Sequence, residues 1–171
     1  MHITTFYRFV PLTDEQVRDG RRELEALALS SGLRGLVLMG AEGVNATVSG
    51  TASAIAECKR AVEQWLRLTD LTFKDSLGSK HPFQVFKVKI KQEIVTLGQP
   101  GLVPASPRNH HLSPAEWHAA LSAPDTTVID TRNGYEVEIG KFRSAIDFAI
   151  DEFSEFPERL ARAGLNKEKP V

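Results

Sequence analysis

Residues 33–50 read Leu-Arg-Gly-Leu-Val-Leu-Met-Gly-Ala-Glu-Gly-Val-Asn-Ala-Thr-Val-Ser-Gly. The first part, Leu33 to Met39, is a short apolar run of the kind that fills a buried strand. Gly40-Ala41-Glu42-Gly43 punctuates it as a turn. Beyond the turn, Val44, Ala46 and Val48 alternate with Asn45, Thr47 and Ser49, so one face of a second strand is apolar and the other polar. Gly50 closes it. Two strands joined by a tight turn therefore occupy the middle of the first half of the chain.

Working outward, a helix flanks this hairpin on each side. Thr13-Asp14-Glu15-Gln16 is a capping-box start, in which the Thr hydroxyl and the Gln amide serve free backbone N–H groups. Val17, Leu24, Leu27 and Ala28 then share one helical face, with Gly32 as the stop. After the hairpin, Ile55, Cys58, Val62, Trp65 and Leu66 have the spacing of a core-facing stripe. A strand over Ile3–Val10 precedes the first helix. Leu71 and Phe73 suggest a short strand, and Phe83–Lys91 reads as another. There Phe86, Val88 and Ile90 point one way, and Val85, Lys87, Lys89 and Lys91 the other. The order β-α-β-β-α-β with an extra strand predicts an α+β, ferredoxin-like (acylphosphatase-like) domain over residues 1–97, with helices on one sheet face and the other open.

Residues 98–112 have a linker composition: Gly98, Pro100, Gly101, Pro104, Pro107, Asn109, His110 and His111. Ser113-Pro114-Ala115-Glu116 then opens a helix, with an N-cap Ser, Pro in the first turn and Glu at the third position. Thr127–Asp130 reads as a buried strand, Tyr135–Gly140 as a turn or helix, Ala145-Ile146 as a strand and Asp151–Ala163 as a helix. Two strands are too few for a parallel sheet covered on both faces. Residues 113–171 are therefore expected to be an incomplete α/β domain.

Composition bounds the function only loosely. The chain has 171 residues, is 42% hydrophobic and 25% charged, and has a net charge of −1. That excludes wholesale disorder and gives no global pull towards polyanions or membranes. Residues 1–98 carry 13 Lys/Arg against 11 Asp/Glu, and residues 99–171 carry 8 against 11. The first half is the better candidate for a polyanion. One cysteine, Cys58, excludes a disulfide within the chain and any multi-cysteine zinc site. No signal-like start and no membrane-length apolar run is visible, so a soluble cytoplasmic protein is expected.

Several residues invite a chemical reading. Asp130 and Arg132 stand at the end of a strand, where α/β folds place functional groups. The plainer reading is a structural pair. Cys58 falls on a buried helical stripe, where a thiol is inert. Glu136 and Glu138 are two apart and would diverge on a helix. Among His2, His81, His110, His111 and His118, no pair has the i, i+4 spacing of a zinc site, so no metal is expected. Lys87, Lys89 and Lys91 form a positive row with Lys80 nearby. Such a row either contacts RNA phosphates or guards an edge strand against aggregation. Tyr7, Phe9 or Phe6 could add base stacking.

Taken in order, Glu42–Gly50, Phe83–Lys91, Glu93–Gly98, Asp130-Thr131-Arg132-Asn133, Tyr135-Glu136-Val137 and Gly140-Lys141-Phe142 resemble the rhodanese-domain tRNA uridine hydroxylases. That resemblance spans essentially the whole chain. It implies a ferredoxin-like domain followed by the N-terminal part of a rhodanese-like domain, beginning at residue 113. The implied reaction is oxygen-dependent hydroxylation of the wobble uridine to 5-hydroxyuridine, with the anticodon region of tRNA as partner and no cofactor assigned. Asp130, Arg132 and Asn133 would support the active site, and Lys80, Lys87, Lys89 and Lys91 would contact RNA. The family's catalytic cysteine lies in a Cys-Thr-Gly-Gly-Ile-Arg-Cys type of segment. It is expected beyond Val171, after a strand starting at Lys169-Pro170-Val171, so the chain alone is expected to be inactive. A thiosulfate-type sulfurtransferase and a non-enzymatic RNA-binding or interaction module are the competing readings.

Overall fold

The computed structural model describes residues 1–99, 102 and 112–166. Most of segment 98–112, including His110 and His111, lies outside the described residues, as does the expected strand start at Lys169-Pro170-Val171. The chain divides into two compact units, Met1–Val95 and Thr96–Val171.

In the first unit, β1 (His2–Phe9), α1 (Asp14–Ser31), β2 (Arg34–Gly40), β3 (Gly43–Gly50), α2 (Ala52–Leu66), β4 (Lys74–Leu77) and β5 (Phe86–Ile90) follow in order. The strands form one mixed sheet in the order β4-β1-β3-β2-β5. All neighbours are antiparallel except β2 and β5, which run parallel. The first four strands and two helices make the split βαβ arrangement of an α+β ferredoxin-like fold, and β5 is the extra strand.

Local chemistry explains the helices. The Thr13 hydroxyl accepts from the Gln16 N–H at 3.2 Å, and the Gln16 side chain accepts from the Thr13 N–H at 2.8 Å. A cap of this kind contributes about 1 kcal/mol. Gly32 ends α1 with φ 70°. Val17, Leu24 and Ala28 of α1, with Ile55, Cys58, Val62 and Leu66 of α2, bury against Phe6, Val37, Met39, Val44, Ala46 and Val48 of the sheet. The helices approach closely where Gly20 meets the Trp65 indole, whose Nε1 donates to the Gln16 carbonyl at 2.8 Å.

The β2–β3 turn depends on Gly43. Its φ is +139°, and a Cβ there would lie 2.0 Å from the Arg8 carbonyl oxygen. Only a residue without a side chain lets β1 and β3 pair at that end. Through this turn, the Val10 and Leu12 N–H groups donate to the Glu42 and Ala41 carbonyls, extending β1 towards α1.

Two expectations for this unit need correction. The short strand is not at Leu71 and Phe73. Those side chains turn into the core, Phe73 edge-on to Phe6 at 5.3 Å, and the strand begins at Lys74. Every residue of β4 is exposed, so no hydrophobic alternation could announce it. The Phe83–Lys91 strand is shorter, Phe86–Ile90, and Ile90 is exposed beyond the helix cover.

In the second unit, α3 (Pro114–Ser122) starts on a Ser113–Glu116 capping box. β6 (Ile129–Asp130), α4 (Gly134–Ile139) and β7 (Ile146–Asp147) follow, with β6 and β7 parallel. The helix expected over Asp151–Ala163 is shorter. A 3₁₀ turn at Phe153–Glu155 precedes α5 (Phe156–Arg162). Pro157 sits in the first turn of α5, where its missing N–H costs nothing, and so favours a helix start there. Trp117 packs edge-on against Phe142, and Phe156 stacks on Phe153. Among the described residues no helix is long and apolar enough to cross a membrane.

Candidate functional site: a cationic sheet face and an Asp–Arg anchor

The pairing registers decide which side chains share a sheet face, because directly opposed residues point the same way. Thr4, Phe6, Val37, Val44, Ala46 and Val88 face the helices. On the opposite face, one cross-strand row reads Lys74, Thr5, Thr47, Leu36, Lys87. The next row reads Tyr7, Asn45, Leu38, Lys89. A third holds Ser76, Ile3, Ser49 and Arg34.

This places the expected RNA-contacting lysines unequally. Lys87 and Lys89 are exposed on the face opposite the helices. Lys91 lies just past β5, exposed, with its N–H donating to the Met39 carbonyl. Lys80 is exposed in the bend between β4 and β5, outside any ladder. Of the aromatic candidates, Phe6 is buried under the helices, whereas Tyr7 and Phe9 lie on the opposite side, edge to face at 6.3 Å.

That face is covered at two corners. The chain after β5 crosses back so that Ile94 is buried outside the main core. Its carbonyl accepts from the Asn45 side chain at 3.1 Å, and its N–H donates to the Glu42 carboxylate. At the other corner, the Ser49 hydroxyl, fully buried, lies 2.8 Å from His81 Nδ1. Burial, then the positive charges of Arg34 and the chain N-terminus, hold His81 below its usual pKa. The middle row stays half-open, with the Thr5 and Thr47 hydroxyls 3.0 Å apart at its centre.

In the second unit, Asp130 closes β6 with its side chain only 8% exposed. Arg132 Nε and Nη2 donate to its two carboxylate oxygens at 3.0 and 2.8 Å, and the Arg132 N–H donates at 3.2 Å. These bonds hold the Asp130 carboxyl below the usual carboxylate range. Arg132 also reaches the carbonyls of Glu136 and Gly140, at 3.3 and 2.6 Å, and so ties β6 to the end of α4. Asn133 is the N-cap of α4 but makes no side-chain cap bond. Beside the pair lies a pocket of about 600 Å³, lined by Trp117, Val128, Asp130, Arg132, Phe142 and Ala145 among others. The Trp117 indole N–H is buried, with no hydrogen-bond partner among the described residues.

Other candidates do not converge. Cys58 is buried in the first unit, and burial pushes its thiol up to about 11. Glu136 is half-buried and Glu138 exposed on α4. Among the described residues no three His, Cys, Asp or Glu side chains cluster as metal ligands. Sequence reading missed Thr5, Arg34 and Lys74 as members of the cationic face. Alternation within each strand was the available signal, but it does not say which residues of different strands stand side by side.

Residues 1–94 match the family model described as the UPF0176 acylphosphatase like domain. A relative from Bdellovibrio bacteriovorus, named tRNA uridine(34) hydroxylase, is 39% identical over 99% of this chain and 49% of its own length. Relatives with the same name from Picosynechococcus and from Wolbachia pipientis wMel are 40% and 43% identical. They cover 93% and 99% of this chain, and 53% and 60% of their own lengths. The chain thus spans about half the length of the curated relatives it matches. Among solved structures, the dark-state BLUF protein BlrB is similar at a TM-score of 0.42 and 22% identity, over 52% of this chain and 70% of that one. Likeness at that level carries no argument.

Proposed function

The chain belongs to the family of the UPF0176 acylphosphatase-like domain, and on that premise we propose that it is part of a tRNA uridine(34) hydroxylase. The reaction of the whole protein is oxygen-dependent conversion of the wobble uridine to 5-hydroxyuridine. The observation that carries this reading is the match to relatives of that name across 93–99% of the chain, which reaches well beyond the first unit.

In this reading residues 1–97 hold the anticodon region of tRNA. Lys80, Lys87, Lys89 and Lys91 provide phosphate contacts, which position the RNA without reading its sequence. Residues 113–171 are the N-terminal part of a rhodanese-like domain. The parallel β6–β7 pair supports it, with functional groups at the carboxyl ends of the strands, where α/β folds place ligands. Asp130, Arg132 and Asn133 act there as positioning residues: the Asp130–Arg132 pair fixes the loop between β6 and α4, and Asn133 starts that helix. Catalysis by the family's cysteine requires an activated thiolate. Cys58 is no candidate, since its burial disfavours the charged form.

The test uses the whole protein of which this chain is a part. It is incubated with oxygen and tRNA isolated from cells that do not modify U34, and the nucleosides are read by mass spectrometry. A product 16 mass units heavier at U34, absent without oxygen, is the expected result. Cyanide-dependent thiocyanate release from thiosulfate, with U34 unchanged, would instead make the protein a sulfurtransferase.

A further inference from the structure

We infer that the row Lys74–Thr5–Thr47–Leu36–Lys87 is a track for single-stranded RNA, in which the Thr5–Thr47 hydroxyl pair reads the ribose 2′-hydroxyl. This rests on the RNA-binding reading above and assigns it a place and a means of telling RNA from DNA.

Charge selects the ligand. The ladder positions on the face opposite the helices include Arg34, Lys74, Lys87 and Lys89, and no Asp or Glu. Among the described residues none of these four cations has an ion pair. On the helix side, by contrast, Arg8 pairs with Asp70 at 2.8 Å and Lys59 with Asp75 at 2.6 Å. A row of cations with no acid at its ladder positions fits a polyanion. Four strand spacings separate Lys74 from Lys87, about 19 Å. A single nucleic-acid strand crossing the sheet would meet one lysine at each edge.

The centre of the row supplies the discrimination. Thr5 and Thr47 are directly opposed on neighbouring strands, their hydroxyls 3.0 Å apart and half-buried. When one hydroxyl donates to the other, the pair still has one hydrogen to give and lone pairs to receive. A ribose 2′-hydroxyl is likewise donor and acceptor, and DNA lacks it. Valine would suit both backbone positions as well as threonine. The hydroxyls are therefore not demanded by the strand itself. Leu36 beside them presents an apolar surface to a base.

The test is fluorescence anisotropy with RNA and DNA oligonucleotides of one sequence. They are about a dozen nucleotides long, enough to cross the ~19 Å sheet. Binding by the 171-residue chain is followed between about 50 and 200 mM salt. Lys74→Ala and Lys87→Ala should each weaken both ligands and lower the slope of log affinity against log salt by about 0.7, the value for one single-strand phosphate contact. Thr5→Val with Thr47→Val should weaken RNA at least about threefold and leave DNA unchanged, the signature of a 2′-hydroxyl contact. Thr5→Ser with Thr47→Ser should keep the RNA preference, which separates hydroxyl chemistry from misfolding. Equal loss for RNA and DNA, or none, in the valine variant overturns the 2′-hydroxyl role. A salt slope unchanged by Lys74→Ala but lowered by Lys89→Ala overturns the row while leaving RNA binding intact. A wild-type chain that binds neither oligonucleotide overturns the RNA-binding reading itself.

Discussion

Arg132 grips the Asp130 carboxylate at both oxygens and, with the same guanidinium, holds the carbonyls of Glu136 and Gly140. A planar five-donor fork can do this, and an ammonium cannot. The largely buried carboxylate is thereby paired, and the loop between β6 and α4 is fixed from both ends.

Arg132→Lys is expected to destabilise the second unit, because an ammonium leaves the Asp130 carboxylate and the two carbonyls short of donors. Amide hydrogen exchange across residues 129–147 should accelerate, and exchange within Met1–Val95 should not.

The depressed Asp130 carboxyl gives this pair a pH dependence of known sign. Its stabilisation is complete above the unfolded carboxylate value, about 3.9, and is lost as pH falls through the lower folded value. In urea unfolding, wild type should exceed Asp130→Asn near pH 6, and the gap should close on acidification below about 3.9. A gap that widens with acid would refute the pairing.

Gly43→Ala should be among the most damaging single changes in the first unit. Its Cβ would meet backbone, the Arg8 carbonyl at 2.0 Å, and no side chain can move aside to relieve it. Strain and overpacking together suggest a loss of about 3 kcal/mol or more. The thermal midpoint of unfolding measures it.

Cys58, with its thiol pushed up to about 11, should not react with a disulfide reagent at pH 8 in the folded chain. Labelling should appear only at the rate at which the first unit opens, because the thiolate is scarce and shielded. Fast native-state labelling would place Cys58 outside the core.

Lys87→Ala, Lys89→Ala and Lys91→Ala combined should weaken tRNA binding and lower its salt dependence, as loss of phosphate contacts does. Unchanged affinity across a salt titration would leave those lysines as guards of the β5 edge.

Much of the first unit was legible because its signals are local. The capping box at Thr13 involves groups three residues apart, as does the one at Ser113 in the second unit, and the alternation from Val44 to Ser49 needs nothing outside its own strand. β4 was misplaced because an exposed edge strand carries no hydrophobic pattern. Leu71 and Phe73, which do look apolar, are core residues just before it. Ile94 shows the same limit. Its burial depends on Asn45 and Glu42, some fifty residues earlier, receiving its backbone.

By itself the sequence determined the order and kind of elements in Met1–Val95, because helix caps, turns and alternation are short-range and each residue type acts on its immediate neighbours. Only the tertiary structure decided that Lys74, Thr5, Thr47, Leu36 and Lys87 stand in one row. Strand order and register are set by pairing between distant segments. Sliding any strand by one residue would turn its side chains to the opposite face and dismantle the row.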